Sequence, residues 1–165
     1  MIQYLLLISR QGKVRLAKWY VTLPQKEKSK ITRDCCNLAI TRSIKVCNFV
    51  EYKQSILVCK RYASLFFIAC IDKGDNELIT LEIIHHFVEV LDKYFGNVCE
   101  LDLIFNFHKA YHMLDEVLLG GELQESSKRA TLKYVHTHES LAEENEGGQA
   151  SAVMGSAAVA ASMTK

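Results

Sequence analysis

Asn48-Phe49-Val50-Glu51-Tyr52, Ser55-Ile56-Leu57-Val58-Cys59-Lys60-Arg61-Tyr62 and Ser64-Leu65-Phe66-Phe67-Ile68-Ala69-Cys70-Ile71-Asp72 are three β-rich segments, separated only by Lys53-Gln54 and by the neighbourhood of Ala63. Links that short join antiparallel neighbours, because a parallel crossover takes a dozen or more residues. This stretch therefore sets an antiparallel meander, and the rest of the chain is read outward from it. Upstream, Ile2 to Ser9 and Val14 to Val21 are rich in strand formers, and Arg10-Gln11-Gly12-Lys13 supplies the glycine of a tight hairpin. Between the hairpin and the meander, Pro24 suits a first helical turn, and Ile31, Cys35 and Leu38 recur on one side of a short amphipathic helix.

Downstream, Lys73-Gly74-Asp75-Asn76 is a turn with cap candidates. Leu81, Ile84, Val88, Leu91 and Phe95 then form one stripe, and Ile83, Phe87, Val90 and Tyr94 a second, so this long helix is apolar over a broad face. Gly96 ends it. Asn97, three residues before Glu100, reads as an N-terminal capping pair for a helix from Leu101 to Leu119, with Ile104, Phe105, Leu114 and Leu118 on its stripe and Gly120-Gly121 as its stop. Ser126 opens a last helix bearing Leu132 and Val135. The order ββαβββααα predicts an α+β domain, a five-stranded antiparallel sheet flanked by helices, over residues 1–141. Residues 142–165 turn to Gly, Ala, Ser and Met and offer little apolar bulk to bury, so they are read as a low-complexity, disordered tail.

With 165 residues, 49% hydrophobic and 24% charged, the chain suits one folded domain. The net charge of +1 makes no whole-chain case for nucleic acid. The basic excess among Arg10, Lys13, Arg15, Lys18, Lys26, Lys28, Lys30 and Arg33 lacks interleaved aromatics to stack bases, and reads as a solvated face or protein interface. The apolar start has no basic residue before Arg10 and reads as a strand rather than a signal peptide, and no run reaches the roughly 20 residues that span a bilayer, so membrane contact is expected only through partners or surface charge. The six cysteines show no CxxC pair and read as reduced, buried thiols of a cytosolic protein.

No chemistry of an enzyme emerges. His108 and His112 stand at i and i+4, but Lys109 occupies the place of a catalytic glutamate and no third ligand is near, so they read as a solvated helix face. Phosphate-cradling glycine motifs are absent, and no cofactor is expected. Arg15 is the one exception to bland readings. By strand alternation it shares a face with Ala17, Trp19 and Val21, which leaves two readings: an edge-strand arginine reaching water along its stem, or an anchor for a carboxylate.

Several ordered blocks then carry a resemblance: Ser9-Arg10-Gln11-Gly12-Lys13, Arg15-Leu16-Ala17-Lys18-Trp19-Tyr20, Lys60-Arg61-Tyr62-Ala63-Ser64-Leu65, Asp75-Asn76-Glu77-Leu78, and Phe87 to Phe95 running on through Gly96-Asn97-Val98-Cys99-Glu100-Leu101-Asp102. Up to about Leu141 the chain resembles the small, or sigma, subunit of the heterotetrameric clathrin adaptor complexes. Ser9 to Lys13, Ile79 to His85 and Leu119-Gly120-Gly121-Glu122 look most like the complex-1 type. The resemblance implies a longin-like fold and obligate partners: gamma-type and beta-type large adaptins and a medium mu subunit, with clathrin and an Arf-family GTPase engaged through the assembly. It implies a cytoplasmic protein, peripheral on trans-Golgi network and endosome membranes and on clathrin-coated vesicles. It also implies binding of acidic dileucine signals, [DE]xxxL[LI], in cargo tails. Arg15 matches the family arginine facing the acidic position. Ala63, Leu65, Val88, Val98, Leu101 and Leu103 match the walls of the leucine pockets, and Asn97 the polar residue at their edge. The alternative is an architectural longin-type coat subunit, coatomer-like, without a peptide pocket.

Overall fold

Ile2–Ser9 (β1) and Leu65–Asp72 (β5) are apolar almost without interruption because they are central strands, covered on both faces. The computed structural model describes residues 1–41 and 47–142. Val14–Trp19 (β2) pairs with β1, while Phe49–Tyr52 (β3) and Ser55–Tyr62 (β4) continue the sheet from β5, giving the antiparallel order β2-β1-β5-β4-β3. The meander and the opening hairpin are thus joined through the β1–β5 pair.

Alternation along the central strands makes two cores. Leu5 and Leu7 of β1 with Leu65, Phe67, Ala69 and Ile71 of β5 face one side, while Tyr4, Leu6, Ile8, Ile68 and Cys70 face the other. The second side is covered by Gln25–Thr41 (α1) through Ile31, Cys35 and Ala39. Its first turn is set by Pro24, whose carbonyl accepts from Glu27 and Lys28 N–H groups. The first side is covered by Glu77–Phe95 (α2) through Ile84, Phe87, Val90 and Leu91. Asn76 Oδ1 caps α2 by accepting from Leu78 and Ile79, and Gly96, at φ 64°, closes it in the left-handed region.

The helix expected from Leu101 to Leu119 is two helices, Glu100–Phe105 (α3) and Phe107–Val117 (α4). Asn106, at φ −121° and ψ 38°, breaks the run: its N–H donates to the Asp102 carbonyl, and its own carbonyl starts α4 by accepting from Lys109. The break shifts the phase, so Ile104 and Phe105 of the expected stripe face solvent while Leu103, Leu114 and Leu118 are buried. Asn97 is not the cap of α3. That place is taken by Cys99, whose N–H donates to Asp102 Oδ2 at 2.8 Å.

Gly120-Gly121 is not a helix stop but the turn of a small hairpin, Leu118–Leu119 (β6) with Glu122–Leu123 (β7). Gly121 has φ +86°, and a Cβ there would lie 2.1 Å from the Ile2 carbonyl oxygen, while the Gly121 carbonyl accepts from Ile2 N–H at 2.9 Å. Gly121→Ala is therefore expected to cost about 2 kcal/mol through backbone strain, read as a lower melting temperature of the purified protein. The last helix covers residues 128–142 (α5) and begins at Ser127 rather than Ser126, Ser127 Oγ accepting from Ala130 N–H. α5 is tied down by the Lys128–Glu89 ion pair and by Glu139, which meets Lys109 at 3.2 Å and accepts from Tyr94. The expected tail, apart from Ala142, lies outside the described residues.

Candidate functional site

Two local structures converge at one end of the α2 side of the sheet. The β4–β5 turn carries Ala63 at φ 50°, a left-handed conformation uncommon for a residue with a Cβ, and the Ala63 carbonyl accepts from Arg61 Nε at 3.0 Å. The α2–α3 connector is braced by two carboxylates, Asp92 accepting from Val98 N–H at 3.1 Å and Asp102 from Cys99 N–H. Between turn and connector lies an apolar cleft lined by Ala63, Leu65, Val88, Val98 and Leu103, with Phe67 and Leu91 beneath them and Tyr62, Cys99 and Glu100 around them.

Of the wall residues expected from the resemblance, Ala63, Leu65, Val88, Val98 and Leu103 come together in this cleft. Leu101 does not: it is 60% exposed on the outer face of α3, near Ile104 and Phe105. Asn97 is not one of the walls but directly precedes the lining residue Val98, exposed beside Gly96 with φ 65°. It extends the left-handed turn that redirects the chain into α3. The cavity is small, about 30 Å³.

Arg15 reaches Glu100, at the border of this cleft, by a route that simple alternation misses. Strict parity with Ala17 and Trp19 would aim it toward α1. The β1–β2 register instead runs Leu6↔Ala17, Leu7↔Leu16 and Ile8↔Val14, leaving Arg15 as the extra residue of a β-bulge. A bulge re-aims a side chain. Leu16 joins the core on the α2 side, and Arg15 comes to the same side, donating from Nε at 2.9 Å and from Nη2 at 2.7 Å to Glu100 Oε1. The pair is partly buried, with 20% of the Arg15 and 26% of the Glu100 side chain exposed. β2 is an edge strand, as one of the two sequence readings has it, and the Arg15 guanidinium is taken up by a carboxylate of the chain's own, Glu100.

Further contacts tie β2 to α4 and β4 to α2. The Tyr111 hydroxyl of α4 both donates to and accepts from the Ala17 backbone at the sheet edge, and Lys18 pairs with Asp115 at 2.5 Å. Tyr62 packs edge-on against Phe67, with ring centres 5.6 Å apart, and its hydroxyl meets His85 Nδ1 at 3.0 Å. Burial first, then the Glu82 and Glu89 carboxylates, push the Tyr62 phenol above its usual range, so it stays neutral.

The other features singled out in the sequence stand apart from the cleft. The His108 and His112 rings are 6.5 Å apart, and among the described residues no group of three or more His, Cys, Asp or Glu side chains could hold a metal ion. No helix among the described residues is long and apolar enough to cross a membrane. Cysteine burial is mixed rather than uniform. Cys35, Cys59 and Cys70 are buried, with the Cys35 thiol pushed up to about 12 by burial, whereas Cys47 and Cys99 are exposed. Glu100, which sequence reading treated only as a cap partner, is the residue that was missed. Its contact with Arg15 spans 85 positions, and no local pattern signals it.

A five-stranded antiparallel sheet between α1 on one face and α2 with its followers on the other is the architecture of a longin-like module. The chain belongs to the clathrin adaptor complex small chain family, whose profile matches residues 1–142. It is 58% identical over 144 residues to AP-1 complex subunit sigma-2 of Dictyostelium discoideum, covering 87% of this chain and 94% of that one. It is 66% identical over 134 residues to AP-1 complex subunit sigma-1 of Schizosaccharomyces pombe, covering 81% and 83%. To human AP-1 complex subunit sigma-1A it is 52% identical over 146 residues, covering 88% and 92%. Its fold is similar to a chain of a structure described as a homology model of the full-length AP-3 complex in a stretched open conformation, with TM-score 0.69, 25% identity and coverage of 90% and 99%. The family is one of transport-adaptor subunits that assemble with other adaptor subunits.

Proposed function

We propose that this chain is the small subunit of an AP-1-type clathrin adaptor complex and that its cleft takes the leucines of acidic dileucine signals. In this reading, gamma-type and beta-type large adaptins and a medium mu subunit complete the assembly. Clathrin and an Arf-family GTPase act through that assembly at the cytoplasmic face of trans-Golgi network and endosome membranes. The observation that carries the reading is the guanidinium of Arg15, re-aimed by a bulge, bonded to Glu100 at the border of an apolar cleft walled by Ala63, Leu65, Val88, Val98 and Leu103. A cation beside a greasy slot is what a ligand with a carboxylate a few residues before a leucine requires.

The energetics make single signals weak. Burying a leucine gives roughly 1.5 to 3 kcal/mol, and an exposed ion pair at most about 1, against several kcal/mol of lost freedom on association. Retention then comes from many contacts of one coat with cargo and lipid.

The test is titration of a fluorescent acidic dileucine peptide into the co-expressed four-subunit complex. Cys99, exposed and bordering the cleft, serves as a second readout. Saturating peptide is expected to slow alkylation of Cys99 severalfold, while a peptide with both leucines changed to alanine leaves the rate unchanged. Equal rates with both peptides would remove the cleft from consideration as the binding site.

A further inference from the structure

Glu100 belongs to both halves of the cleft at once. Its carboxylate receives both hydrogen bonds of the Arg15 guanidinium, and its side chain lines the same cavity as Val88, Val98 and Leu103. As the molecule stands, the cation is occupied and the apolar slot holds only about 30 Å³. One residue accounts for the first condition and contributes to the second.

We propose that Glu100 is an internal competitor for Arg15, a specificity-determining residue whose carboxylate must leave the guanidinium before an acidic ligand can engage it. This rests on the function proposed above and concerns how that same site is regulated. The geometry suits an exchangeable partner. Both bonds fall on one oxygen, Oε1, so the pair lacks the parallel two-oxygen fork that makes an arginine–carboxylate contact strongest. Both side chains are also about a quarter exposed or less without being sealed, which leaves water a path to the departing carboxylate. Glu100 sits at the first residue of α3, beyond the braced 96–99 connector, so its side chain can turn to solvent without moving the backbone.

The consequence is an exchange. When an acidic ligand binds, one carboxylate replaces another and the number of ion pairs is unchanged, so the ligand's acidic residue yields little net affinity in the native protein. The apolar residues then dominate selection, and Glu100 sets how much the acidic position counts. Removing its charge reverses that balance.

The experiment compares two peptides, one with the acidic residue and one with glutamine in its place, against the native four-subunit complex, Glu100→Gln, and Glu100→Gln combined with Arg15→Ser. Glu100→Gln is expected to bind the acidic peptide about fivefold more tightly, in line with one partly exposed ion pair, and the glutamine peptide within twofold of native. The double variant is expected to lose the gain. A gain shared equally by both peptides, or no gain, overturns the competition while leaving the cleft as a binding site. Binding of neither peptide to any form overturns the proposed function and this inference together. A second measurement needs no peptide: phenylglyoxal modification of Arg15 is expected to speed up severalfold in Glu100→Gln. An unchanged rate would show that Glu100 does not hold the guanidinium, and would overturn the inference even where peptides bind.

Discussion

Val88→Asp is expected to abolish measurable capture of an acidic dileucine peptide, lowering affinity by more than a hundredfold while the adaptor complex still assembles. Val88 is half-buried and lines the cleft together with Val98 and Leu103. A carboxylate there removes the apolar contact that receives a leucine, worth roughly 1.5 to 3 kcal/mol. It also adds the cost of desolvating a charge against an apolar ligand, at least about 1 to 3 kcal/mol. Together they come to about 2.5 to 6 kcal/mol, centred well above the roughly 2.8 kcal/mol that corresponds to a hundredfold in affinity. The introduced charge also faces Glu100 rather than a cation, and Arg15 is already engaged. The fold is spared because the inward residues of α2, Ile84, Phe87 and Leu91, are untouched. The measurement is peptide titration of the purified complex, with subunit stoichiometry checked on the same sample. Native affinity in an intact complex would mean that the signal docks elsewhere.

The sheet was legible because its evidence is local. Two-residue links between β-rich runs leave no room for a crossover, and the uninterrupted apolar stretches of β1 and β5 announce strands covered on both faces. The second half of the helical region was less so. A stripe through Ile104, Phe105, Leu114 and Leu118 looks continuous when counted on a regular helix, yet Asn106 leaves the helical region and resets the phase. Sequence periodicity carries no mark of that step, since asparagine is tolerated inside helices at small cost. The cleft divides in the same way. Its apolar walls were expected through resemblance, and five of six converge, but Leu101 was carried outward on the exposed side of a single short turn. Arg15 stood out as a cation in a strand, while the side it faces depended on a bulge that alternation cannot anticipate. Glu100 stayed hidden because its meaning lies wholly in a contact formed by tertiary packing.

Phe67→Ala is expected to destabilise the domain by about 3 to 5 kcal/mol, the usual cost of removing a buried aromatic ring. Phe67 lies on β5 at 2% exposure, and its ring meets Tyr62 edge-on at 5.6 Å and Phe87 at 6.4 Å. It ties the end of β4, the central strand and α2 into one body, and the same ring forms the floor of the cleft. Fold and site therefore draw on one residue, and they predict different consequences of its loss. Stability falls because the cavity left behind cannot collapse against a rigid sheet, giving a lower melting temperature or poor recovery of the chain in its complex. The cleft, by contrast, gains depth, since the void opens beneath Leu65 and Leu91. Phe67→Leu, which keeps most of the volume, is expected to recover most of the stability. If Phe67→Ala melted within a degree or two of the native protein, the ring would not be bridging these elements, and the cleft would rest on a support other than the one its position implies.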